Sequence, residues 1–89
     1  MSAPANQKPM PPRWRRLLER VPQAMTAETV PSPCQSVCTM HAPSGWCEGC
    51  LRSLQEIAAW SRMPPQAQRA VWAELPQRVQ QRQAQDASA

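Results

Sequence analysis

Pro33-Cys34-Gln35-Ser36-Val37-Cys38-Thr39-Met40-His41-Ala42-Pro43-Ser44-Gly45-Trp46-Cys47-Glu48-Gly49-Cys50 holds all four cysteines of the chain, spaced C-x3-C-x8-C-x2-C. Four thiols this close together predict one metal or iron-sulfur site. Thiolates are soft ligands, and a tetrahedral set of four suits structural zinc or an iron-sulfur centre. Cys47-Glu48-Gly49-Cys50 is the stronger half, because two intervening residues let both sulfurs reach one centre. Gly49 adds backbone freedom there. Cys34 and Cys38 supply the other half. The expected ligands are therefore Cys34, Cys38, Cys47 and Cys50, around either an iron-sulfur cluster or one zinc ion. Spacing does not choose between the two. Two disulfides are the alternative.

A chain of 89 residues with eleven prolines, two glycines, no Phe and no Tyr has little with which to build a core. Four tryptophans carry all the aromatic burial. Domains of this size usually need disulfides, a metal or a partner. No run approaches the roughly 20 apolar residues of a membrane span, and residues 1–29 contain no signal-peptide core. The expected location is the cytoplasm, where thiols stay reduced and clustered cysteines bind metal. The net charge of +4 is compatible with an acidic partner or nucleic acid.

Outward from the cysteines, the chain divides into three. Residues 1–30 read as a flexible arm whose Pro-rich start is disordered. Within it Trp14, Leu17, Leu18 and Val21 recur at one helical face beside Arg13, Arg15, Arg16 and Arg20. That pattern predicts a short basic helix limited by Pro22. It is either docked on its own domain or used as a basic contact. Residues 31–78 form the cysteine-rich module. Pro43, Ser44 and Gly45 mark a turn. Ser53 and Glu56 make a capping box for a helix that ends near Ser61. A second helix starts at Pro65, with Ala67, Ala70, Val71 and Glu74 on one face and Pro76 ending or kinking it. Residues 79–89 read as a disordered tail after a frayed extension. The expected fold is small and mostly α: a metal-stabilised cysteine loop followed by two short packed helices, with irregular tails.

Ser32-Pro33-Cys34, Val37-Cys38 and the run from Gly45-Trp46-Cys47 through Glu56-Ile57-Ala58-Ala59-Trp60-Ser61-Arg62-Met63 resemble a family of short bacterial proteins, domain-of-unknown-function family 1289, described as predicted iron-sulfur proteins. The resemblance covers about residues 31–78. It implies that Cys34, Cys38, Cys47 and Cys50 carry a centre and that Arg52, Ser53, Glu56, Ile57 and Trp60 form the supporting helix. His41 stands where the family pattern usually has aspartate.

The expected function is that of a non-enzymatic metal-binding accessory or interaction module with a protein partner. Two alternatives are a redox electron-transfer or sensor accessory protein and a nucleic-acid-binding accessory acting through the basic arm. Four ligands would leave a metal no open position, and neither Ser36 nor Ser44 has an evident base, so no catalytic residue is expected. His41 is read as a loop histidine beside the site.

Overall fold

A computed structural model describes residues 10–35 and 39–88. The expected tail before Met10, together with Cys38, lies outside the described residues. Among the described residues the elements are three α-helices and one short hairpin: α1 (Pro12–Thr26), β1 (Met40–His41), β2 (Trp46–Cys47), α2 (Leu54–Ala59) with a 3-10 turn at Trp60–Arg62, and α3 (Pro65–Ser88). This corrects the expected metal-stabilised cysteine loop followed by two short helices. Within the cysteine segment, Met40–His41 and Trp46–Cys47 form a hairpin, closed by backbone hydrogen bonding and a turn.

α1 begins with Pro12 in its first turn, where the missing N–H is no loss. Pro22 does not stop it. An interior proline costs about 3 kcal/mol or more, and here tertiary contacts on both sides offset that cost. Trp14 and Leu17 are buried before it and Ala24 after it. Beyond it, Arg69 Nη2 donates to Ala27 O at 2.9 Å, tying the helix end to α3.

α3 carries the other half of the core. Val71, Trp72, Leu75 and Val79 are buried. The apolar face is thus rotated from the expected one: Ala70 and Glu74 are exposed, and Trp72 is central. Pro76 lies within the helix, flanked by the buried Leu75 and Val79, so packing again overrides a helix breaker. α1 and α3 clasp Trp14, Leu17, Trp72, Leu75 and Val79 into one cluster with Leu51 and Trp60.

The hairpin pairs Met40 with Cys47 and His41 with Trp46. Its turn uses Gly45 at φ +77°, a left-handed conformation that glycine adopts at no steric cost. Gly45 N–H donates to His41 O at 2.8 Å. After the hairpin the chain reverses through Leu51, a non-glycine residue at φ +60°. Strain of this kind persists only where surrounding structure over-determines it. Leu51 is fully buried, its N–H donates to Cys47 O at 2.9 Å, and Cys47 N–H donates to Arg52 O at 2.8 Å.

α2 forms as its sequence directs. Ser53 Oγ accepts from Glu56 N–H at 3.1 Å, and Glu56 Oε1 accepts from Ser53 N–H at 2.9 Å. None of its six residues is buried. Among the described residues no helix is long and apolar enough to cross a membrane.

Candidate functional site: a thiol-lined apolar cavity between the hairpin and α2

The cysteine hairpin is fastened to the helices by arginines. Glu48 is the junction. Its backbone carbonyl accepts from Arg13 Nε at 3.0 Å and from Trp14 Nε1 at 2.8 Å, both on α1. Its carboxylate takes Arg82 Nη1 at 2.6 Å, from α3. Gln35 Nε2 donates to Arg13 O and to Gly49 O, at 2.8 and 2.9 Å. One turn earlier on α3, Arg78 grips Glu56 through two hydrogen bonds of 2.7 and 2.9 Å and donates to Leu51 O at 2.9 Å. Each tryptophan has a guanidinium over its ring: Arg13 and Arg82 at Trp14, Arg20 at Trp72, Arg52 at Trp60 and Arg78 at Trp46.

Sequence reasoning missed Arg78 and Arg82. They lie four residues apart, with Glu74 and Asp86 each four residues from one of them. That spacing reads as an exposed helix face, yet both arginines are buried. The basic residues of α1 divide. Arg13 and Arg20 are spent on internal contacts, Arg20 Nη2 donating to Ser32 O at 3.1 Å, while Arg15 and Arg16 are exposed.

The Arg78 fork and the Ser53 contact hold the Glu56 carboxyl below its ordinary value of 4.5, with the Arg78 hydrogen bonds the largest cause. A depressed carboxyl contributes stability above its unfolded value and loses it as pH falls through its folded value. Unfolding free energy measured by urea titration is therefore expected to fall below about pH 4.5. Glu56→Gln, which keeps the capping geometry and removes the charge, flattens that acid limb.

Cys34, Cys47 and Cys50 border one cavity of about 160 Å³, together with Met40, Arg52, Leu54 and Ile57. Cys47 and Cys50 are each 2 % exposed, whereas Cys34 is exposed. Among the described residues no disulfide joins these three. Arg52 Nε donates to Cys50 Sγ at 3.3 Å. Burial nevertheless pushes the Cys50 thiol up from its ordinary value, against the lowering effect of Arg52.

These findings correct the expected cofactor and the expected metal-binding function. Among the described residues, no three His, Cys, Asp or Glu side chains come together so as to hold a metal ion. Of the expected set of Cys34, Cys38, Cys47 and Cys50, three cysteines border the cavity and Cys38 lies outside the described residues. The readings as a four-cysteine iron-sulfur or zinc protein, and as a cluster-based redox accessory, have no support here. His41 is occupied by the turn: Ser44 N–H donates to His41 Nδ1 at 3.2 Å, and Ser44 Oγ lies 2.7 Å from the same nitrogen. The nearby carboxylates Glu48 and Glu56 are committed to Arg82 and Arg78.

The fold and cavity define a small accessory-like module of three helices and a hairpin, with an apolar pocket on its surface. By sequence, residues 32–79 match the family described as protein of unknown function (DUF1289). That is more than half of the 89-residue chain, and the chain belongs to this family. The match begins after α1, although α1 supplies Trp14 and Leu17 to the same core. No curated protein and no solved structure matches the chain.

Proposed function

We propose that the chain is a non-enzymatic, cytoplasmic accessory module that docks onto a partner protein through the face formed by the hairpin and α2. The observation that carries this reading is the uncovered state of α2. It has no buried residue, Leu54 at its start is 64 % exposed, and Met40 across the cavity is 39 % exposed. A contiguous apolar surface around a concavity is a feature of interaction sites. The face is also preformed, because the capping box and the Arg78 fork fix α2 before any partner arrives. The commitment of the nearby His41, Glu48 and Glu56 to structural bonds supports a binding role over a catalytic one. The thiols of a reducing compartment suit the cytoplasm.

Site-specific photo-crosslinking tests the reading. Leu54→p-benzoylphenylalanine in the full chain, in the organism that carries it, is expected to give a discrete protein adduct. The same group at the exposed Ala73 of α3 should not. Equal patterns from both positions, or no adduct from position 54, would refute it.

A further inference from the structure

Three arginines are more than nine-tenths buried: Arg52, Arg78 and Arg82. Arg78 faces Glu56 and Glu74, and Arg82 faces Glu48 and Asp86. Arg52 faces no carboxylate among the described residues. Its Nε is used by Cys50 Sγ, and its guanidinium lies 4.9 Å from the Trp60 ring centre. A cation–π contact and one bond to sulfur compensate a buried charge only in part. Among the described residues the other buried guanidinium groups have two carboxylates each, and Arg52 has none.

Arg52 also forms part of the cavity wall, and among the described residues the rest of the wall is hydrocarbon and sulfur from Cys34, Met40, Cys47, Cys50, Leu54 and Ile57. The occupant that complements such a site is apolar in bulk and anionic at one end. Its volume of about 160 Å³ matches the cavity of about 150 Å³ that accepts benzene in an apolar interior. One leucine or phenylalanine side chain is of that size. A glutamate or aspartate would bring the charge without the apolar bulk, and an internal leucine the bulk without the charge. A chain terminus brings both.

We infer that the cavity binds the apolar C-terminal residue of a partner protein, with the side chain in the pocket and the terminal carboxylate paired to Arg52. This rests on the docking reading above and specifies its partner. The Nη groups of Arg52 hold no acceptor among the described residues, and a guanidinium presents a planar fork that fits a carboxylate.

Acetylated Ser/Gly hexapeptides ending in Leu, Phe or Ala, each as free acid and as C-terminal amide, are titrated into the full chain by calorimetry, with 4-methylpentanoate as a small-molecule control. The Leu and Phe acids are expected to bind at least about tenfold more tightly than their amides and than the Ala acid, a clear difference in Kd. Arg52→Gln should bring acid binding down to the amide level. Leu54→Asp, at an exposed position, should abolish binding even if the Arg52 variant fails to fold. Equal binding of acid and amide, or no binding by any peptide, overturns the inference. Binding of 4-methylpentanoate as tight as that of the Leu acid assigns the cavity to small carboxylates and overturns the terminus. A position-54 crosslink that persists while no peptide binds removes this inference and leaves the docking reading. Absence of the crosslink removes both.

Discussion

Trp14→Ala is expected to destabilise the module by about 3–5 kcal/mol, the range for truncating a buried aromatic side chain. For a small domain whose total stability falls toward the lower end of about 5–15 kcal/mol, that is most of it. Trp14 is 1 % exposed and lies between two guanidinium groups, at 5.4 Å from Arg13 and 5.0 Å from Arg82. Its Nε1–H is also one of two donors on the Glu48 carbonyl. Losing the ring leaves a cavity, removes one of those donors and strips a neighbour from the buried Arg82. The consequence reaches the hairpin, because Glu48 belongs to it. Urea unfolding followed by far-UV circular dichroism checks this. A chain beginning at residue 30 should show the same loss, although it retains the whole family-matched segment. A stable, cooperative unfolding transition in that shortened chain would show that α1 is dispensable.

Glu56→Ala is expected to cost about 3 kcal/mol, the lower end for removing one partner of a buried ion pair. Two losses combine. The capping box goes, and Arg78, with a side chain only 10 % exposed, loses its closest carboxylate. Glu74 remains at 3.5 Å but is 61 % exposed, so it compensates only in part. Glu56→Gln should cost less, since an amide still caps α2 and still accepts from Arg78. Urea titration of both variants gives the order Ala worse than Gln. Equal costs would mean that the lost charge beside Arg78, and not the cap, sets the effect.

What could be seen in the sequence follows the range of each interaction. The Ser53–Glu56 capping box, the turn at Gly45 and the start of α3 at Pro65 are local. Each depends on residues within a few positions, and each is found in place. The apolar face of α1 was also legible from its period. Its partner was not, because α3 packs against α1 and the segment after it across long stretches of chain, as Arg69 to Ala27 and Trp72 to Pro31 illustrate over 42 and 41 positions. The same packing carries both helices through Pro22 and Pro76, where local preference alone would stop them. Two-residue strands have no period to detect, so the hairpin was invisible.

At the site, the clustering of cysteines along the chain does place Cys34, Cys47 and Cys50 on one cavity. What it could not give is the competing role of arginine. The count of four thiols suggested a metal as the staple of a small core. The described structure fastens the hairpin instead through Arg13, Arg78 and Arg82, whose polar bonds reach Glu48, Leu51 and Glu56. Arg78 and Arg82 belong to α3, far along the chain, and their spacing looks like that of a solvated surface.

The central claim is that α2 is presented to a partner and not packed into the core. The most direct measurement is the unfolding free energy of Leu54→Asp in urea. Leu54 is 64 % exposed, so the claim predicts a change within about 0.5 kcal/mol, as for a surface substitution. A loss of about 2 kcal/mol or more, the cost of disrupting a buried leucine, would contradict it.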